Sequence, residues 1–85
     1  MKDLLKVTVL SPREVLFEGE AKAISSKNSQ GKFDILFSHA NFITLVENQP
    51  VIILKADDSK SEFNFKQAII YNSQNEVLVL AEPTS

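Results

Sequence analysis

Ser38 and His39 stand side by side, and a hydroxyl beside the only histidine of the chain invites a nucleophile–base reading. Neighbours on extended backbone point to opposite faces, so the two make a poor catalytic pair. A small hydrolase built on His39 would need a distant serine and an orienting carboxylate, and no motif marks either. A lone histidine on a loop reads instead as a structural or interface group. Asp57-Asp58 is the one adjacent acidic pair, but followed by Ser59 between two strand-like runs it is turn chemistry. One histidine without cysteine cannot supply a zinc set, and Asp-Asp-Ser-Lys lacks the alternating oxygen ligands of a calcium loop. No glycine-rich phosphate loop is present, so no cofactor is implied.

Aromatic residues leave two further options. Phe63 and Phe65 share one face of an alternating run with Lys60 and Lys66 nearby, the pattern of a base-stacking platform for single-stranded nucleic acid. The same alternation also describes two core side chains. Phe37 and Phe42 bracket the Ser38-His39-Ala40-Asn41 loop and are candidates both for the core and for a hydrophobic anchor against a partner.

The elements that must position these groups read as strands. Leu5, Val7 and Val9 alternate with polar neighbours, as do Val15 and Phe17, then Phe33, Ile35 and Phe37, then Phe63 and Phe65. Turn residues separate the runs at Ser11-Pro12-Arg13, Gly19, Asn28 to Gly31, Asn48 to Pro50, Asp57 to Ser59 and Asn72 to Asn75. Val51 to Leu54 and Val77 to Ala81 are apolar on both faces, as central strands are when a second sheet covers one side and a partner can cover the other. No capped helical stripe of ten residues occurs. The expected fold is all-β, a two-sheet sandwich (or small barrel) of about 8–10 short strands with little or no helix.

Eighty-five residues, 44% of them hydrophobic, suffice for one domain spanning 1–85. Nine Lys and Arg against eleven Asp and Glu leave a net charge of -2, with no basic footprint for nucleic acid or an anionic membrane. The absence of cysteine excludes disulfides and thiolate chemistry. The amino terminus is not a secretory signal, and no apolar run approaches the roughly 20 residues of a membrane helix.

Four stretches carry a resemblance to a known family. Val7-Thr-Val-Leu-Ser-Pro12, Val15-Leu-Phe-Glu-Gly19 and Val77-Leu-Val-Leu-Ala-Glu82 are similar to its opening, second and closing strands. Gly31-Lys-Phe-Asp-Ile-Leu-Phe-Ser-His-Ala-Asn-Phe-Ile-Thr44 is similar to its more specific Gly-x-Phe-Gly-Ile-Leu-Pro-Gly-His-Ala-Pro-Leu-Leu-Thr. Together they resemble the amino-terminal β-sandwich domain of the epsilon subunit of F-type ATP synthases. Asp34, Phe37, Ser38 and Asn41 depart from that pattern, standing where glycine, proline, glycine and proline are usual, and Lys66-Gln67 replaces a glycine pair. The changes are expected to relax the loop or move it.

The resemblance implies a non-catalytic rotor subunit, without cofactor, peripheral on the cytoplasmic face of the membrane. It would bridge the gamma subunit and the ring of c subunits to couple ion flow to ATP synthesis. It implies a gamma-facing set of Ser11, Phe37, Ser38, His39, Asn41 and Phe42, in which Phe37 or Phe42 is an aromatic anchor. The ring-facing set is the turn Ser29, Gln30, Gly31 and Lys32. The family's helical hairpin, a brake on hydrolysis in many members, would begin at Glu82-Pro-Thr-Ser85; with Ser85 as the natural terminus, a short form without that arm is implied. The competing readings are a stand-alone sandwich or barrel that binds single-stranded nucleic acid or a protein, and an enzyme using His39.

Overall fold

A computed structural model describes residues 3–83. Seven strands follow one another: β1 Leu5–Leu10, β2 Val15–Asn28, β3 Gly31–Leu36, β4 Phe42–Glu47, β5 Pro50–Lys55, β6 Lys60–Ser73 and β7 Glu76–Pro83. No helix occurs among the described residues. The all-β expectation holds, but seven strands replace eight to ten because β2 and β6 each run for 14 residues.

Those two long strands build both layers of a sandwich. The first part of β2 pairs with β1, whereas its second part lies between β3 and β5. Likewise β6 first pairs with β5 and then lies between β4 and β7. Each changes partners at an irregularity in register, Ala21–Ala23 in β2 and Phe65–Gln67 in β6. Such breaks let a strand turn the corner between sheets. One layer is thus β4-β6-β7-β1-β2 and the other β3-β2-β5-β6. A parallel β1–β7 pairing closes the ring β1-β2-β5-β6-β7.

Period-two alternation fills the space between the layers. Leu5, Val7 and Val9 face Ile24, Ile35, Val51, Ile53, Ile70, Val77 and Val79, all at most 2% exposed. Each such side chain contributes about 1.5–3 kcal/mol on leaving water.

Two expectations need correction. Gly19 is not a turn but pairs with Val7 inside β2, where the Phe17 ring comes within 3.5 Å of the position a Cβ would take. Val15 is 55% exposed rather than core. Between the pairs Val9–Phe17 and Leu10–Val15 the register slips. That bulge puts two residues of β2 against one step of β1 and throws Val15 outward beside Leu10.

Candidate docking site

The outer face of the five-stranded layer carries large apolar side chains. Cross-strand register places Leu45 beside Ile69, Ile69 beside Leu80, Leu80 beside Leu10, and Leu10 beside Val15. One row of aliphatic side chains therefore crosses all five strands, about 19 Å at the usual spacing of about 4.8 Å. Leu45, Ile69 and Leu80 are 48%, 42% and 47% exposed, far from the burial their size favours. A second row, Ile43–Tyr71–Leu78, turns polar at Thr8 and Glu18. A groove of about 380 Å³ runs past Leu45, Ile69 and Leu80 to Leu10, Ser11 and Pro12. A contiguous apolar strip of this kind on a small domain marks an interaction surface. The expectation that Val77 to Ala81 is covered on both sides is met on the inner face only, since Leu80 lies open.

The His39 loop closes one end of this face. The His39 N–H donates to the Leu36 carbonyl (3.0 Å), and Ser38 takes a φ of 69°, the left-handed conformation natural to the glycine it replaces. Three asparagines then fasten the loop. Asn75 Oδ1 accepts from the Ser38 N–H (2.6 Å), and Asn41 Oδ1 accepts from the Gln74 N–H (3.2 Å). Asn72, fully buried, donates through Nδ2 to the His39 and Ala40 carbonyls at 3.3 and 3.1 Å. Its Oδ1 is buried and accepts nothing, a condition that costs about 1–3 kcal/mol. Hence side-chain bonds hold the loop, and of the two expected outcomes, a relaxed loop or a moved one, the first is not met.

The sequence-derived gamma set separates into distinct roles. Phe37 is 39% exposed at the end of β3. Phe42 instead packs against the core, with its ring 5.4 Å from Phe33 and 5.5 Å, edge-on, from His39. Ser11 spends its hydroxyl locally: Oγ accepts from the Arg13 and Glu14 N–H groups and donates to the Glu14 carbonyl. It also lies at the far end of the face. Ser11 follows Leu10, which stands beside Leu80, whereas the His39 loop is tied to Asn75. Five residues of β7 separate those levels, about 16 Å at about 3.3 Å per residue. The apolar row, which sequence reasoning missed, crosses the face at the Ser11 end.

The Ser29-to-Lys32 turn caps the β2–β3 hairpin of the other layer. Asn28 Oδ1 accepts from the Gln30 N–H (2.9 Å), and Gly31 holds a φ of 121°. Ser29, Gln30 and Lys32 are exposed. Asn28 Nδ2 also donates to Thr44 Oγ1 (2.9 Å), linking the hairpin to β4.

The remaining candidates are accounted for locally. Asp57 accepts from both the N–H and the hydroxyl of Ser59, and these bonds hold its carboxyl below the ordinary aspartate value. Asp58 sits at φ 71° in the same turn and pairs with Lys22. Phe63 and Phe65 stack on each other at 5.8 Å, and Phe65 is only 4% exposed, which withdraws the base-stacking platform. No group of three metal-ligating side chains forms among the described residues.

An apolar outer strip with a braced loop at the other end of its face is the kind of surface that a protein partner can cover. The family model of the ATP synthase delta/epsilon chain β-sandwich domain matches residues 4–84, and the chain belongs to that family. It is similar to the ATP synthase epsilon chains of Sulfurimonas denitrificans (31% identity, covering 92% of this chain and 60% of that protein) and Clostridium novyi (30%, covering 96% and 63%). The chain therefore spans about 60% of the length of these relatives. Its fold matches a chain in the c-ring-containing structure of the Euglena gracilis mitochondrial ATP synthase, with a TM-score of 0.85 at 12% identity over 95% of this chain and 52% of that one. A chain of the central stalk and c-ring of the Tetrahymena thermophila enzyme matches with a TM-score of 0.77, again at 12% identity, over 92% and 63%.

Proposed function

We propose that the domain is the non-catalytic, stalk-docking part of an F-type ATP synthase epsilon subunit, held at the cytoplasmic face of the membrane by its partners. The gamma subunit grips the five-stranded layer, and the c-ring meets the exposed turn Ser29 to Lys32. The observation that carries this reading is the row Leu45–Ile69–Leu80–Leu10–Val15, which crosses the layer beside the Ser11 turn, on the same face that the His39 loop closes at its other end. Phe37 is the aromatic anchor at the loop, while Phe42 supports His39 from below. No bond-breaking step is assigned to the domain; it transmits force as a stiff body, because close-packed interiors pass strain on.

Titration of the purified chain with purified gamma tests the reading, with thermal unfolding as the control for folding. Phe37→Ala should weaken gamma binding with little change in stability, whereas Phe42→Ala should lower stability first. Absence of any gamma binding by the folded wild-type chain, or an unchanged affinity in Phe37→Ala, refutes the respective assignment.

A further inference from the structure

Asn72 is a carboxamide where its strand calls for a hydrocarbon. It lies on the inward face of β6 with Ala68 and Ile70, opposite Phe42 and Val77, and it is fully buried. Core packing does not explain an asparagine here, since its Oδ1 finds no partner and a valine would fill the place without a buried polar atom. What the carboxamide does provide is two N–H donors aimed at the His39 and Ala40 carbonyls, 33 and 32 residues away in sequence.

The Ala40 carbonyl also receives a second bond. His39 Nδ1 lies 2.8 Å from Ala40 O. A carbonyl can only accept, so Nδ1 carries the hydrogen, and in the neutral ring Nε2 is left as a bare acceptor. Both lone pairs of one carbonyl oxygen are thereby used, one by Asn72 and one by the imidazole. The ring is further pinned edge-on against Phe42. Fixing the Ala40 oxygen fixes the group that selects the histidine tautomer.

We propose that Asn72 is the positioning residue of the docking loop: its two bonds hold the His39 and Ala40 carbonyls inward and, through the shared Ala40 oxygen, set the tautomer and orientation of His39. The imidazole then presents Nε2 to a hydrogen-bond donor on the partner. The partner arm of this inference rests on the gamma-docking reading, whereas the tautomer arm does not.

Asn72→Val in the full chain separates the two. Valine keeps the volume and the strand preference and removes both donors together with the unpaired oxygen. Its thermal midpoint should hold or rise. Yet the ¹⁵N shifts of the His39 ring should move from the Nδ1–H form toward the mixture of a free imidazole, and the amides of residues 38–41 should exchange at least tenfold faster. Gamma affinity should fall about tenfold as pre-organisation is lost. Unchanged ring shifts and loop exchange in Asn72→Val, with or without a lower midpoint, overturn the inference and leave Asn72 a packing residue. Altered ring and loop with unchanged gamma affinity overturn the docking role of this loop while the clamp stands. Should the variant not fold, the wild-type spectrum decides: a predominant Nε2–H tautomer of neutral His39 contradicts the assignment.

Discussion

Ile69 lies second in the apolar row, between Leu45 and Leu80, and replacing it tests the docking face where three exposed aliphatic side chains stand side by side. It is 42% exposed, so a covering partner has about two fifths of an isoleucine left to bury. Complete burial is worth about 1.5–3 kcal/mol, which leaves about 1 kcal/mol for docking. Ile69→Ala should thus weaken gamma binding about fivefold, at about 1.4 kcal/mol per tenfold. Ile69→Glu asks for more. A carboxylate with the ordinary pKa of about 4.3 must either stay wet, opening the interface, or take a proton at pH 7, which costs about 3.7 kcal/mol. Added to the lost aliphatic contact of about 1 kcal/mol, that makes about 4.7 kcal/mol and predicts a loss of about 2 × 10³-fold. Folding should suffer little, about 1 kcal/mol, because the glutamate points to water in the free domain. Calorimetric titration against gamma reads the affinity, and thermal unfolding reads the fold. The penalty should shrink as pH falls toward 5, since protonation becomes cheaper. A folded Ile69→Glu chain that binds gamma within threefold of wild type would refute the docking face.

Gly31→Ala isolates a backbone effect at the other grip. At φ 121° a side chain is strained although nothing lies within 4 Å of its Cβ position. Urea unfolding should show a loss of about 1–2 kcal/mol, and an unchanged midpoint would contradict the turn geometry. Asp57 supplies a pH-dependent reporter. Its carboxyl is held below the ordinary value of 3.8 chiefly by the Ser59 hydroxyl and N–H. A depressed folded-state value means that the contribution is present above the unfolded pKa and is lost as pH falls through the folded one. Carboxyl NMR titration should place Asp57 below 3.8, and Ser59→Ala should move it back up; coincident titrations would disprove the cause.

Local features of the chain were readable before the fold was known, whereas those set by register were not. Alternation in Leu5–Val9 and Phe63–Phe65 predicted strands and inward faces, and Asp57-Asp58-Ser59 predicted its turn. Gly19 misled because glycine marks both turns and close approaches, and the Phe17 ring beside it is not visible from spacing. Val15 misled because a one-residue slip reverses which face a side chain takes. The apolar row has a similar origin: its five residues come from five strands, and no single segment shows more than one of them as anomalous. The nearest local signal is Leu80 inside a run that is apolar on both faces. Asn72 misled as well: read as the first residue of the Asn72-to-Asn75 turn, it lies buried inside β6, paired with Phe42 and Val77, because the partners that its carboxamide satisfies lie more than thirty residues upstream.

The two proposed grips lie on different layers, yet one strand joins them. β2 begins at Val15, the last member of the apolar row, crosses between the layers at Ala21–Ala23, and ends at Asn28 beneath the Ser29-to-Lys32 turn. Force applied at one end therefore passes along a continuous backbone clamped by β1, β3 and β5 rather than through a flexible connection. The crossing point is the place where a ladder interruption leaves β2 freest to hinge. The closed ring β1-β2-β5-β6-β7 counters this, because bending β2 there strains hydrogen-bonded neighbours in both layers at once. The Asn28–Thr44 bond adds a side-chain strut from the hairpin back to the five-stranded layer. On the proposed reading, a body that turns between two partners needs this continuity and not a reactive group of its own. That reading assigns the chain's chemistry to stiffness and to the two proposed docking surfaces.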